Sequence, residues 1–158
     1  MSQCCGKIPT MADVGFMVQT ICAWTTRFGN IALGAAGEEI ANTYAVNEMG
    51  LELVKFDKQV HGFDNLFRNG DGKLVIGETK TTKASGISSL GDTNHGKEGS
   101  VEWVEYKARL MCDPLSSFYS EANRKIGEEI LSRGAENVEF VLIHVDVEHE
   151  SVDVRNLR

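Results

Sequence analysis

The segment from Phe67 to Lys80, FRNGDGKLVIGETK, could do chemistry in two incompatible ways. As a calcium-binding loop, it would present oxygen donors in the helix-loop-helix pattern and close on Glu78. That pattern needs a carboxylate at its first position, which is Phe67 here, and a helix after its last, where the sequence continues as TKTTKASGISS. The sequence therefore favours the alternative, a Gly-rich turn leading into a strand that ends with a carboxylate and an ammonium.

The hairpin is expected to bring three polar side chains together. With a turn centred near Asp71, Asp64 lies almost opposite Glu78, and because side chains alternate along a strand, Glu78 and Lys80 point to the same face. The neighbouring residues are apolar in nearly continuous runs, which is typical of strands covered on both faces. We therefore predict that two carboxylates and a lysine converge. The motif E-x-K is common, and from these residues alone a structural role is equally compatible.

Helices and strands of an α/β domain are predicted around this hairpin. The helices are expected at 12–28, 35–49, 101–111 and 117–133, and the strands at 51–56, 60–67, 73–80, 137–147 and 151–157. Segment 83–100 is rich in Gly, Ser and Thr, and we predict a long mobile loop there. A chain of 158 residues is expected to form one domain, with 1–30 as an N-terminal helical extension, 34–82 as its core and 101–158 as helices and closing strands.

Composition indicates a globular protein outside the membrane. Hydrophobic residues make up 42% of the chain and charged residues 25%, and no run of about 18 apolar residues suggests a membrane span. The N-terminus lacks the apolar core and cleavage site of a signal peptide, so a cytoplasmic location is expected. The cysteines have no C-x-x-C spacing and are expected to be free reduced thiols. They are Cys4, Cys5, Cys22 and Cys112.

The charge distribution is uneven. The chain has a net charge of −7, which argues against a simple nucleic-acid binder. Segment 55–83, however, has six basic and four acidic residues, a balance of +2, so the rest of the chain has −9. The basic residues are Lys55, Lys58, Arg68, Lys73, Lys80 and Lys83. The segment with the hairpin is therefore where a phosphate would have to lie, unless the pattern is only a solvated acidic surface around an ordinary hairpin.

The second predicted helix adds a further carboxylate in a recognisable order. Its sequence, GAAGEEIANTY, has the pattern G-x-x-G-E-x-x-A-x-x-Y. A glutamate early in a helix, then a strand, then G-x-D on the next strand and E-x-K on the third resembles the PD-(D/E)xK nuclease superfamily. This superfamily includes restriction enzymes, Holliday-junction resolvases and toxin nucleases. The resemblance covers about Gly34 to Thr82, roughly a third of the chain.

The resemblance implies a restriction-endonuclease-like core, a mixed central β-sheet flanked by helices. It also implies a metal-dependent endonuclease that hydrolyses phosphodiester bonds, in DNA rather than RNA. Asp64 matches the metal-binding aspartate, Glu78 the second carboxylate and Lys80 the catalytic lysine. Glu38 matches the helical glutamate, with Glu39 as its alternative. The sequence departs from the pattern in having Phe63, where the superfamily has a proline before the aspartate.

The chemistry implied by the resemblance uses oxygen ligands and one cation. Asp64, Glu78 and Glu38, with the backbone carbonyl of Thr79, would hold one or two Mg²⁺ ions, for which Mn²⁺ could substitute. Lys80 would orient the attacking water or stabilise the developing charge.

The resemblance also implies a nucleic-acid partner. The nucleic-acid contacts expected in this segment are His61, Arg68, Lys73 and Lys83, although His61 could instead be an ordinary strand side chain. Because the remainder of the chain is acidic, we expect a homodimer or a basic partner protein to assist binding. Trp103 is expected in the core and His95 on the surface. The rival interpretation is an inactive relative that serves as a binding module.

Overall fold

The structure is a computed structural model that describes residues 33–83 and 89–158. The helix predicted at 12–28, the N-terminal extension, Cys4, Cys5 and Cys22 lie outside the described residues. The described residues form three α-helices and a mixed five-stranded sheet, which confirms the α/β class. None of these helices is long and apolar enough to span a membrane.

The central sheet has the strand order β1-β2-β3-β6-β7. Strand β3 pairs antiparallel with β2 and parallel with β6, and β1 and β7 close the two edges with antiparallel pairs. A parallel neighbour requires a crossover connection, and helices α2 and α3 provide it between β3 and β6. The strands are β1 (Glu52–Leu53), β2 (Asn65–Arg68), β3 (Leu74–Thr82), β6 (Glu139–Asp146) and β7 (Ser151–Asn156); the helices are α1 (33–47), α2 (Val101–Cys112) and α3 (Glu121–Arg133).

Helix α1 covers one face of the sheet. Ile40, Ala41 and Ala45 are fully buried against apolar side chains of β2, β3 and β6. A side chain at Gly37 would place its Cβ only 1.8 Å from the Thr81 hydroxyl oxygen, so the helix crosses β3 at a distance that only glycine permits. The helix predicted at 35–49 is confirmed, and its described part, from residue 33 on, ends at residue 47, two residues earlier than predicted.

Helices α2 and α3 cover the other face. Trp103 and Val104 of α2 and Ile130 of α3 share a buried cluster with Ile76 of β3 and Phe140 of β6. Serine side chains cap both helices by accepting backbone N–H groups: Ser100 from Trp103 and Ser120 from Asn123. The predicted helix at 101–111 is confirmed, whereas the one predicted from 117 begins only at Glu121 because Ser120 caps it.

The β2-β3 hairpin confirms one of the two interpretations of segment 67–80. Asn69 accepts hydrogen bonds from the N–H groups of Asp71 and Lys73, each at 3.0 Å, and Gly72 has the positive φ of 73° that this turn requires. The side chain of Asn69 is therefore engaged within the turn, and Glu78 lies within a strand rather than at a helix start. The calcium-loop interpretation is wrong for this segment.

Two predicted strands are much shorter than expected. Only 52–53 of the strand predicted at 51–56 forms a strand, followed by one hydrogen bond of 2.9 Å from the Val54 N–H to the Leu66 carbonyl, and β2 begins at Asn65 instead of 60. Buried Asn123 binds the intervening segment through both backbone groups of Asp57, accepting at 2.9 Å and donating at 2.8 Å. A further turn joins the N–H of Gly62 to the carbonyl of Gln59. These bonds replace the sheet ladder that the sequence pattern predicts.

The segment predicted as a long loop contains a small hairpin among its described residues. Strands β4 (Asp92–Thr93) and β5 (Gly96–Lys97) pair antiparallel, apart from the main sheet. Ser100, three residues after the end of β5, then caps α2. This hairpin places the residues between β5 and α2 beside the end of β3, as described next.

Candidate active site

The end of β3 presents alternate side chains to the two faces of the sheet. Leu74 and Ile76 face α2 and α3, so Glu78 and Lys80 lie on the same side, as predicted. The register Asn65↔Gly77 places Asp64 opposite Glu78. Asp64 is further fixed because its carboxylate accepts a hydrogen bond of 2.9 Å from the Thr79 backbone N–H.

A cavity of about 440 Å³ lies over these residues on the α2 side. Asp64 and Glu78 line it from the sheet, Glu98 lines it from the segment between β5 and α2, and Tyr106 and Lys107 line it from α2. We call this space the acidic cavity. Lys80 is not among its lining residues, but its ammonium contacts two side chains that are.

Lys80 joins two carboxylates. Its Nζ donates to Glu78 Oε1 and to Glu98 Oε2, each at 3.0 Å. Glu98 is fixed in turn by the Gly91 N–H, which donates to the same carboxylate at 2.9 Å. Glu98 could not be singled out from the sequence, because this residue lies in a Gly-rich segment with no periodic pattern that would indicate where its side chain points.

Burial and neighbouring charges shift the acid–base properties of these groups. Burial, followed by the charge of Asp64, raises the pKa of Glu78 to about 8, although Lys80 acts in the opposite direction. Burial lowers the pKa of Lys80, but the carboxylates of Glu78 and Glu98 outweigh it and the pKa lies above its ordinary value. Burial raises the pKa of Glu98, but the Gly91 N–H and Lys80 outweigh it and the net shift is downward. The cavity thus holds one carboxyl group that ionises with difficulty beside one that ionises readily.

Helix α2 supplies a second lysine. Trp103, Lys107 and Met111, spaced four residues apart, are buried along one face of the helix. This spacing could have singled out Lys107 from the sequence, because a lysine in a buried helical stripe needs a partner. Trp103 is 3% exposed, which confirms it as a core residue, while exposed His95 stacks on Tyr106 with ring centroids 3.5 Å apart.

Glu38 lies apart from the acidic cavity. It forms an ion pair with Lys58 and lines a separate cavity of about 520 Å³ beside Thr79, Lys80 and Lys83. The neighbouring Glu39 is exposed. The structure therefore brings Asp64, Glu78 and Lys80 together but leaves the helical glutamate in an adjoining cavity.

The donors in the acidic cavity suit a hard cation. Within 33–83 and 89–158, no set of three or more His, Cys, Asp or Glu side chains is arranged to hold a metal ion. Mg²⁺, however, is commonly bound by one or two carboxylates and completes its shell with water and substrate phosphate. Asp64 and Glu78 supply two such carboxylates, and the effect of Asp64 on the Glu78 pKa shows that a positive charge here would relieve repulsion. The residues present fit the ion.

The residues expected to contact nucleic acid are spread over the molecule. His61 lines the acidic cavity, and Lys83 is exposed at the end of β3. Lys73 lies in the turn at the opposite end of the hairpin. Arg68, also at that end, donates two hydrogen bonds to Glu129 at 3.0 and 2.8 Å. The structure thus does not bring Arg68 and Lys73 to the cavity.

The acidic cavity contains groups that can bind a divalent cation and an anionic oxygen together. They are two carboxylates from neighbouring strands, a lysine hydrogen-bonded to one of them and a second lysine on the cavity wall. No protein-family model matches the chain, and no curated protein or solved structure matches it significantly.

Proposed function

We propose that the chain is a Mg²⁺-dependent endonuclease with a restriction-endonuclease-like core, acting on DNA in preference to RNA. The observation that carries the proposal is the pairing of Asp64 and Glu78 across two antiparallel strands in one cavity, with Lys80 bonded to Glu78. The order of elements supports it: a helix, an antiparallel hairpin, then a crossover to a parallel strand. The superfamily resemblance described above predicts the helix, the two strands with G-x-D and E-x-K, and a mixed sheet.

The reaction would be hydrolysis of a phosphodiester. Water adds to phosphorus, the bond from phosphorus to one ester oxygen breaks, and that oxygen leaves with a proton as a hydroxyl. Asp64 and Glu78 would hold Mg²⁺, which supplies charge neutralisation at the phosphoryl oxygens and a more acidic water when bound. The Thr79 N–H orients Asp64, and the Thr79 carbonyl is the proposed backbone ligand of the metal ion.

Lys80 has two tasks in this proposal. Its contact with Glu78 favours the ionised carboxylate that a metal needs, and its ammonium would orient the attacking water or stabilise the developing charge. Glu38 would join the metal site only after leaving Lys58, so the two carboxylates of the acidic cavity form the centre of the site.

The expected partner is DNA, bound through His61 at the acidic cavity and Lys83 at the cavity of Glu38, with Arg68 and Lys73 as more distant contacts. The rest of the chain has a charge of −9 and opposes the approach of a polyanion, whereas the basic residues of segment 55–83 attract phosphates only within about a Debye length, roughly 8 Å at physiological salt. A homodimer or a basic partner protein would supply the missing positive surface. The place of action is expected to be the cytoplasm.

Plasmid cleavage tests this function. The full chain should nick or linearise plasmid with Mg²⁺ or Mn²⁺ and stop with EDTA, and Asp64→Asn should remove the activity. Asp92→Asn, at an exposed carboxylate of β4, is the matched control and should remain active. Intact plasmid after incubation of the folded wild type with either metal contradicts the proposal.

Metal binding can be measured without turnover. An ion bound by the native state alone stabilises it by mass action, about 1.4 kcal/mol at ten times Kd. The Tm of the wild type should therefore rise by a few degrees with millimolar Mn²⁺, whereas that of Asp64→Asn should not. A wild-type Tm that does not change with Mn²⁺ favours the rival interpretation, a binding module without catalysis. The hydrogen bond from Lys80 to Glu98 and the raised pKa of Glu78 also favour that interpretation.

A further inference from the structure

Lys107 is an unusual lysine for its degree of burial. It is only 8% exposed, on the face of α2 that packs against the sheet. Lysines are rarely buried to this extent unless their charge is paired, because desolvating an ammonium is costly. Burial accordingly lowers the pKa of Lys107, and the charges of Glu98 and Glu78 offset this only in part.

Three aromatic rings surround the ammonium. Nζ lies 5.5 Å from the ring centroid of Trp103, 5.7 Å from that of Tyr106 and 5.0 Å from that of Phe118. Such contacts attract a cation to the ring faces. They leave the three N–H donors of an ammonium without an oxygen acceptor.

No protein group accepts a hydrogen bond from those donors within the described part of the chain. Lys107 donates no hydrogen bond and forms no ion pair there, although it lines the acidic cavity beside Glu98 and Glu78. Lys80 is the opposite case, since it donates to both of these carboxylates at 3.0 Å. The cavity therefore has one lysine whose ammonium is hydrogen-bonded to carboxylates and one whose ammonium opens to the cavity with no protein acceptor among the described residues.

We propose that Lys107 binds a non-bridging phosphate oxygen of a nucleic-acid strand in the acidic cavity. Its ammonium lies on the same cavity as the Asp64–Glu78 pair, so a phosphate there would contact the lysine on one side and face the carboxylates on the other. The aromatic rings hold the ammonium in place, which lowers the entropy cost of forming the contact. The identity of the ligand rests on the proposed function; the preference for an anionic oxygen rests on the charge of Lys107 and its place on the cavity wall.

The test compares two lysine-to-methionine variants of the full chain. Lys107→Met removes the ammonium but keeps an unbranched apolar side chain among the three rings. Lys97→Met removes an exposed ammonium from nearby β5 and is the matched control. The probe is a short fluorescently labelled single-stranded DNA, titrated by anisotropy in EDTA at low salt, in one version with phosphodiester linkages and in another with uncharged methylphosphonate linkages.

With phosphodiester DNA, Kd should rise about tenfold or more in Lys107→Met, which is the size of a lost charge-assisted hydrogen bond. Kd should change by less than about twofold in Lys97→Met, since exposed charges contribute little. With methylphosphonate DNA, the wild type and Lys107→Met should bind alike. If circular dichroism shows that Lys107→Met does not fold, Lys107→Gln replaces it in the same comparison.

Equal Kd values of the wild type and Lys107→Met for phosphodiester DNA overturn the proposal, as does a wild type that binds no such DNA. Cleavage with Mg²⁺ is assayed separately on the same preparations. If the wild type never cleaves but Lys107→Met binds DNA more weakly, the nuclease function is contradicted and the phosphate contact is supported. If the wild type cleaves and Lys107→Met leaves Kd unchanged, the nuclease function is supported and the phosphate contact is contradicted.

Discussion

The two faces of β3 use polar residues in different ways. On the α1 face, the Thr79 hydroxyl donates to Asn65 at 2.6 Å, and the Asn65 amide donates to Asn42 at 2.7 Å. On the α2 face, Glu78 has a raised pKa and Lys107 donates no hydrogen bond to any described residue. Polar groups that satisfy one another's hydrogen bonds specify packing. Groups with shifted pKa values or without a hydrogen-bond partner are candidates for binding and catalysis. Adjacent residues of one strand, Glu78 and Thr79, therefore lie in contrasting environments.

The largest expected effect is loss of plasmid cleavage when Lys80, on the α2 face, is replaced. Lys80→Met should lower the rate of plasmid cleavage by about 10²- to 10⁴-fold, the usual range for a group that assists proton transfer or charge development. Its Tm should change little, because Glu78 can take up a proton once its partner is gone. Lys125→Met, at an exposed lysine of α3 that has no role in the site, is the control for charge. Cleavage by Lys80→Met at the wild-type rate contradicts the role of Lys80.

A second effect is a pH dependence of stability due to Glu78. The native carboxyl has a pKa of about 8 against an ordinary 4.5, so between these values the native state binds a proton that the unfolded state does not. The free energy of unfolding therefore falls as pH rises through this window, by at most several kcal/mol at about 1.4 kcal/mol per unit of pKa. Glu78→Gln should remove this contribution and be more stable than the wild type at pH 8.5 but not at pH 4.

Urea unfolding of both proteins in EDTA at the two pH values measures this difference. A constant gap between wild type and variant across the pH range would show that Glu78 titrates normally and would remove the contrast between the faces.

The smallest expected effect is a loss of stability on the α1 face. Thr79→Val removes the hydroxyl that donates to Asn65 and leaves a buried acceptor unsatisfied, at a cost of about 1–3 kcal/mol. The backbone N–H that orients Asp64 remains. Activity per folded molecule should stay within about threefold of the wild type, since the α2 face is unchanged. Urea titration gives the stability, and cleavage at low temperature gives the activity; a variant as inactive as Lys80→Met would show that the faces are not separable.

The hairpin and its register could be predicted from sequence because their determinants are local. Asn69 and Gly72 fix the turn, and strand alternation then places Asp64, Glu78 and Lys80. The α/β class also follows from periodic patterns, whereas the mixed sheet is expected only from the superfamily resemblance. The assignment of these residues to metal binding and catalysis, however, stays a prediction.

Other parts of the site depend on contacts between distant segments. The strand predicted at 51–56 is short because Asn123, far along the chain, binds Asp57. The direction of Glu98 depends on Gly91 and Lys80, and Glu38 is engaged by Lys58. No local pattern encodes such side-chain pairings, so sequence reasoning identified the helical glutamate but not its partner.

The crossing of α1 over β3 has an evolutionary consequence. Because a Cβ at Gly37 would lie 1.8 Å from the Thr81 hydroxyl oxygen and 2.9 Å from the Thr81 Cβ, the two positions compete for the same volume. Among descendants of this sequence, a larger residue at position 37 requires a smaller one at position 81, and position 81 lies one residue after Lys80. Covariation of these two positions would therefore identify distant relatives that keep α1 seated against the strand that carries Glu78 and Lys80.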